Sequence, residues 1–214
     1  KRSPQLVRDI HAAGHEVACH GLTHRTVYTQ TPEVFRAETS EAKQRLEDAT
    51  GVPVRGYRAA TYSITARSLW ALDILEELGF SYDSSIFPIR HDLYGIPGSP
   101  RFAYRAASGS LLEVPITTVE YLGQRLPAGG GGYFRLLPYV LFRAAVRRVN
   151  TRDRQAAVFY CHPWEIDPGQ PRVAGVSAKS RFRHYTNLDR MESRLRRLLR
   201  DFRWGRMDEV FGVG

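Results

Sequence analysis

His20-Gly21-Leu22-Thr23-His24 places two imidazoles four residues apart. If the segment turns helically, both rings reach one centre, and neutral imidazoles suit zinc and neighbouring transition metals. A catalytic zinc usually takes three protein ligands and a water, and no third is obvious in the chain. The same spacing also fits two capping or surface histidines. Phe159-Tyr160-Cys161-His162-Pro163-Trp164 holds a second candidate. His162 closes an apolar run and could protonate a leaving group, as imidazoles do near neutral pH, or be a satisfied core histidine. Cys161 alternates away from it and reads as packing. Trp164 could stack on a sugar ring or simply cover the rim of the core. Asp83, in Tyr82-Asp83-Ser84-Ser85, could orient that imidazole as carboxylates do in hydrolases, or close an Asx-turn. Arg58 could keep a catalytic carboxylate ionised, or sit in a surface ion pair.

The elements that would position these residues alternate along the chain. Pro4 opens a helix with Leu6, Ile10 and Ala13 on one face, and Gly14 stops it. A strand follows over His15 to His20. Thr31-Pro32 opens a second helix with Phe35, Ala42, Leu46 and Ala49 inward, closed by Gly51. Val52 to Arg58 reads as a strand, and Thr65 as the cap of a helix ending at Gly79. Phe80 to Ser84 and Leu111 to Pro115 read as strands around a long loop. Pro138 opens a helix, Ala156 to His162 is an apolar strand, and a loop then reaches the helix capped by Asn187. The tail from Met207 is expected to add a short strand. Strands alternating with helices make an α/β protein with a mainly parallel sheet, a barrel or an open sheet. His20, Arg58, Asp83 and His162 all close strands, and parallel folds build active sites at those ends.

The 214 residues suit one domain. With 43% hydrophobic residues the chain can bury a core, which excludes disorder over most of it. No apolar run approaches the ~18 residues of a membrane span. Two cysteines exclude a disulfide scaffold and a four-thiolate zinc site. A net charge of +9 favours acidic partners without choosing among them. The Arg-rich helix from Arg190 to Arg206 reads as a solvated face rather than a phosphate contact, and no nucleic-acid recognition pattern accompanies it. Gly129 to Gly132 lacks the Lys-Ser/Thr of a phosphate loop and reads as a flexible lid.

Taken in order, His-Gly-x-x-His, the Arg58-Ala59-Ala60-Thr61-Tyr62 segment, Tyr-Asp-Ser-Ser and the strand ending Tyr-Cys-His resemble the polysaccharide deacetylases. These are the NodB-homology group, carbohydrate esterase family 4. Tyr82 to Pro97, Gly129 to Pro138 and His162-Pro163-Trp164-Glu165-Ile166-Asp167-Pro168 resemble the subgroup tied to exosortase and exopolysaccharide gene clusters. The resemblance implies an irregular barrel of about seven β/α units, read as one deacetylase domain over residues 1–214 with 163–214 as a subgroup-specific C-terminal region. It implies His20 and His24 as ligands of a divalent metal, most simply Zn2+, and Arg58 as the residue that steadies the base. It implies Asp83 as the partner of the general acid His162, and the backbone near Thr61 as a helper at the oxyanion. Tyr62 and Trp164 are then expected to contact substrate. Ala60 stands where the family usually has Pro. The family's acidic first segment, which gives the base and a third metal ligand, has no match before His20, since Asp9 and Glu16 do not fit it. The chain is therefore expected either to lack its first two strands and its natural N-terminus or to be a variant that has lost its base.

The implied reaction is hydrolysis of N-acetyl groups on an amino-sugar polymer of exopolysaccharide biosynthesis or modification, a carbon–nitrogen bond that is not a peptide bond. Ring opening of small cyclic amides and a catalytically inactive glycan-binding domain are the alternatives. Partners implied are the acetylated polymer, membrane-associated exopolysaccharide machinery and further copies of the chain, with no nucleic acid. The implied location is cytoplasmic or at the inner membrane rather than secreted.

Overall fold

The computed structural model describes residues 3–91, 94–106 and 109–213. The chain packs as two compact α/β units, one from the N-terminus to Pro115 with the tail from Gly205, the other Ile116–Trp204.

In the first unit, α1 (Pro4–Ala12) precedes α2 (Pro32–Thr50). Thr31 caps α2 by accepting from the Val34 N–H at 3.4 Å, and Gly51 ends it in the left-handed region at φ 73°. The central sheet has the order β1 (Gly56–Tyr57), β2 (Tyr82–Asp83), β4 (Leu112–Glu113) and β3 (Tyr104–Arg105). The first three are parallel and β3 is antiparallel. α3 (Trp70–Glu77) lies between β1 and β2 in sequence. Phe35, Val54, Tyr57, Leu72, Leu75, Phe80 and Leu111 share the core of this unit.

The expected strand His15 to His20 pairs only at Cys19, against Tyr57. Its rung is the Cys19 N–H to Gly56 oxygen and the Arg58 N–H to Cys19 oxygen, at 2.8 and 2.9 Å. After that rung Gly21, at φ 80°, turns the chain away, so no further pair forms. The helix expected from Thr65 begins at Trp70, because Ser68 Oγ takes the Thr65 N–H and holds the preceding residues in a turn. Leu6 and Ile10 of α1 are exposed rather than inward. The tail forms α8 (Met207–Val210), not a strand. Acidic Asp208 and Glu209 fill its first turn, and Arg206 pairs with Asp208.

The second unit opens with a hairpin that the sequence did not announce, β5 (Thr118–Tyr121) and β6 (Gln124–Pro127). Leu122 and Gly123 form its two-residue turn, both at positive φ, a geometry usually signalled by Asn-Gly. Four helices follow: α4 (Gly131–Leu136), α5 (Tyr139–Arg148), α6 (Ala178–Tyr185) and α7 (Met191–Asp201). α6 falls in the stretch expected to be loop. Its cap is Ser177, which accepts from the Ser180 N–H at 3.2 Å. Phe134, Phe142, Val146, Met191 and Leu198 form the core of this unit, with Phe159 and Cys161 packed on it.

The apolar run Ala156 to His162 also makes a single bridge, Gly130 to Tyr160. Its neighbour is the glycine run, which becomes helix at Gly131, so there is nothing left to pair with. Gly129, Gly130 and Gly131 are a close-packing device rather than a flexible lid, whereas a Cβ on Gly132 would meet nothing within 4 Å. A Cβ on Gly129 would lie 2.5 Å from the Val158 carbonyl oxygen, and one on Gly131 would lie 2.4 Å from Glu165 Oε2.

Candidate active site

Strand register builds the candidate site in the first unit. Cys19, Tyr57, Asp83 and Glu113 are aligned in one row across the parallel segments. The residues one step further on, His20, Arg58, Ser84 and Val114, form the next row at the C-terminal ends. Hydrogen bonds run along that row. His20 Nδ1 lies 2.6 Å from the Arg58 carbonyl oxygen. A carbonyl only accepts, so Nδ1 carries the proton and Nε2 holds the ring's lone pair. Arg58 donates from Nε to the Ser84 oxygen at 2.9 Å and from Nη2 to Ser84 Oγ at 2.7 Å. The Ser84 hydroxyl in turn donates to the Val114 carbonyl oxygen at 2.7 Å.

His24 sits at φ 57°, a left-handed conformation in which its ring meets that of His20 edge to face at 5.1 Å between centroids. The turn carrying it is pinned to α2, since Thr23 Oγ1 donates to Glu38 at 2.6 Å and Arg25 pairs with the same carboxylate at 3.7 Å. The two imidazoles share a neighbourhood, and the Nδ1-bonded carbonyl is the kind of outer partner that fixes a metal-binding histidine. They fit two of the ligands of a catalytic zinc. Among the described residues no three His, Cys, Asp or Glu side chains are grouped to hold an ion.

Thr61 and Tyr62 follow Arg58 on a turn, both left-handed at φ 57° and 51°. A β-branched residue there is strained, and such strain concentrates at functional sites. Tyr62 is buried, its ring against Phe87 and Tyr94 at 5.9 and 5.7 Å, with the Arg58 guanidinium 6.0 Å above it. The Val27 N–H donates to Ser63 Oγ at 2.8 Å, which ties this turn to the segment after His24.

Asp83 is fully buried, and both its oxygens are engaged by Ser85, Oδ1 by the hydroxyl at 2.6 Å and Oδ2 by the N–H at 3.1 Å. Facing it across the register is Glu113, equally buried and missed by the sequence reasoning. Its only signal was an acid inside Leu111-Leu112-Glu113-Val114. Glu113 Oε1 accepts from the Ile86 N–H at 2.9 Å, while among the described residues no N–H reaches Oε2 and the carboxyl meets the Asp83 side chain. Burial first, and the facing Asp83 second, push the Glu113 carboxyl well above the ordinary carboxylate range. Burial raises Asp83 as well, against the opposing pull of its hydrogen bonds and Arg58. The pair therefore keeps a proton to higher pH than a free carboxylate does.

That proton has a consequence for stability. A raised folded pKa means the folded chain keeps a proton the unfolded chain has released. This contribution is fully present below about 4.5, the ordinary value for Glu, and is lost as pH rises through the folded value. Glu113→Gln mimics the neutral acid. The variant is expected to match its parent at pH 4 and to be more stable at pH 8 by roughly 1–3 kcal/mol. Urea titrations at the two pH values decide this, and equal pH slopes for both chains would refute it.

In the second unit, His162 caps the short 3-10 helix Pro163–Ile166. Glu165 Oε1 accepts from the His162 N–H at 2.9 Å and faces Nδ1 at 3.1 Å. Glu165 Oε2 takes Arg135 Nε at 2.8 Å, and both side chains are 2% exposed. Burial alone would raise this carboxyl, but the bonds from His162 and Arg135 and the guanidinium charge hold it below its ordinary value. Trp164 stacks on His184 at 4.0 Å, which covers one face, and lies 5.3 Å from the His162 ring. Burial pushes the Cys161 thiol up to about 11, in keeping with a packing role. Nothing in the sequence around Arg135 marks it as part of a site. Glu165, three residues after His162, carried the spacing of a capping box.

The fold and these rows define an α/β protein with polar residues gathered at parallel strand ends. Residues 84–212 match the family described as Domain of unknown function (DUF3473), and residues 1–82 match the one described as Polysaccharide deacetylase. The chain belongs to the DUF3473 family. No curated protein matches the sequence. Among solved structures, an allantoinase is 16% identical with a TM-score of 0.59, covering 99% of this chain and 63% of its own. A Pseudomonas aeruginosa PAO1 protein assigned as a polysaccharide deacetylase is 15% identical, with a TM-score of 0.59 and the same coverage. A CE4 family pseudoenzyme from Bacillus anthracis is 12% identical at a TM-score of 0.50, covering 97% of this chain and 50% of its own. The chain thus spans between half and just under two thirds of these structures. At such identities the likeness is one of fold.

Proposed function

We propose that the chain is part of a metal-dependent deacetylase that hydrolyses N-acetyl groups of an amino-sugar polysaccharide in exopolysaccharide modification. The observation that carries this is the His20–His24 pair, with His20 Nδ1 fixed by the Arg58 carbonyl at 2.6 Å. The match of residues 1–82 to the polysaccharide deacetylase family supports the substrate class. The irregular seven-unit barrel belongs to this proposal.

His20 and His24 would hold the ion, most simply zinc. When bound, it supplies Lewis acidity toward the acetyl carbonyl and toward water. Arg58 sets the orientation of His20 through its carbonyl and bears on the buried carboxylates through its charge. The left-handed turn at Thr61 carries the backbone that the resemblance assigns to the oxyanion. The resemblance gives His162, in the second unit, the role of proton donor to the departing amine and Trp164 that of a sugar contact. The net charge of +9 suits an acidic polymer or an anionic membrane face. Among the described residues no helix is long and apolar enough to cross a membrane.

One observation favours a second reading, an inactive glycan-binding domain: two imidazoles without a third grouped donor among the described residues. Acetate release from an N-acetylglucosamine oligosaccharide, measured with added zinc and with a chelator, separates the readings. Zinc-dependent acetate supports the deacetylase. Oligosaccharide binding without acetate supports the inactive domain, and turnover of a cyclic amide such as allantoin in place of the glycan would overturn both.

A further inference from the structure

We infer that Glu165, clamped by Arg135, is the positioning residue of His162, fixing its tautomer and the direction of its outer nitrogen. This rests on the reading of His162 as the proton donor. The resemblance to deacetylases points to Asp83 for that task, but the second unit supplies a carboxylate of its own.

The local chain makes the contact. Pro163 holds the first turn of the 3-10 helix, and that turn returns Glu165 to the His162 backbone. The backbone part of the contact is reciprocal: the His162 N–H donates to Oε1 at 2.9 Å, and the Glu165 N–H donates to the His162 carbonyl at 2.9 Å, which leaves Nδ1 free of that N–H. The ring adds a further bond, Nδ1 to Oε1 at 3.1 Å. An ionised carboxylate only accepts, so the proton is on Nδ1 and Nε2 becomes the nitrogen available for chemistry. The His162 side chain is half exposed while Glu165 is buried, so one partner can meet a substrate and the other cannot.

Glu165 has no freedom to turn away. Arg135 Nε holds Oε2 at 2.8 Å, and Arg135 is itself held at the end of α6. Its Nη1 donates to the His184 and Thr186 oxygens at 3.2 and 2.5 Å, and its Nη2 to the Arg183 oxygen at 3.1 Å. Gly131 leaves the space for this carboxylate, since a Cβ there would come within 2.4 Å of Oε2. A cap alone would need neither a buried guanidinium nor a glycine behind it. In the step this serves, the C–N bond breaks and its electron pair stays on nitrogen. The proton moves from imidazolium Nε2 to that nitrogen, leaving the neutral Nδ1–H ring on Glu165.

The test is a long-range 1H–15N spectrum of the histidine rings of the full chain, with His162 assigned through a His162→Asn variant. In the unchanged chain the neutral ring of His162 is expected to be the Nδ1–H tautomer. An Nε2–H ring there would overturn the proposal at once, whatever the variants do. In Glu165→Gln the Nδ1–H preference is expected to fall, with kcat for acetate release dropping roughly 10²-fold and KM little changed. Should Glu165→Gln fail to fold, Gly131→Ala displaces the carboxylate while keeping its charge and is expected to shift the tautomer in the same direction. A folded variant with an unchanged tautomer refutes the positioning role. If the unchanged chain releases no acetate, the deacetylase reading is what fails, and the spectrum still decides whether Glu165 sets the ring.

Discussion

Arg135→Met is expected to destabilise the protein by about 3–5 kcal/mol, the cost of stranding one half of a buried ion pair. The side chains of Arg135 and Glu165 are each 2% exposed, so water cannot replace the lost partner. The substitution also leaves the Arg183, His184 and Thr186 carbonyls without the guanidinium that ends α6. The effect depends on pH in a defined direction. Glu165 is held below its ordinary value, so its contribution is present above about 4.5 and is lost as pH falls through the folded value. The parent is thus expected to lose stability in acid more steeply than the variant. Urea unfolding at pH 7 and pH 4 measures both. A loss under ~1 kcal/mol at pH 7 would mean that the pair is solvated and behaves like a surface bridge. The double variant Arg135→Met/Glu165→Leu removes both charges and is expected to recover much of the loss, since buried pairs exchanged for apolar groups are often neutral.

His20→Ala is expected to weaken zinc binding by more than the roughly 10–100-fold that loss of an outer partner costs, because it removes a ligand itself. His24→Ala should do the same, since the two rings lie 5.1 Å apart and would share the ion. Competition with a chromophoric chelator reads this without any substrate. Acetate release should fall in parallel. Equal zinc affinity in the parent and both variants would remove the metal assignment, whereas loss in only one would place the ion on a different donor set. With two imidazoles as the grouped donors among the described residues, the parent itself should bind zinc less tightly than a three-ligand catalytic site.

The residues legible beforehand were those whose signal is local. Thr31-Pro32 and Gly51 bound α2 because a cap, a fixed φ and a left-handed stop act within a few residues. His20, Arg58 and Asp83 stood out because each closes an extended apolar stretch, and the structure sets their segments side by side. The resemblance in those segments also anticipated the matched family over residues 1–82.

What failed was whatever depends on a neighbour distant in sequence. Two expected strands shrank to single bridges at Cys19 and Tyr160, because a strand lasts only while its partner runs beside it. Of the glycines expected to form a mobile lid, Gly129 and Gly131 are packed against Val158 and Glu165, which no reading of the run itself reveals. α6 and the β5–β6 hairpin were missed because a serine cap and a Leu-Gly turn are weak signals. Sequence by itself determined the bounds of α2 and the polar residues that follow the extended segments of the first unit, since periods and caps are short-range. Tertiary structure alone decided which carboxylates matter. Glu113 faces Asp83 only because β2 and β4 pair in one register, and Glu165 meets Arg135 only because a residue thirty positions earlier is brought to it. A charge becomes a buried, proton-holding or ring-orienting group only when folding removes water from around it, and that is a property of the packing rather than of the residue.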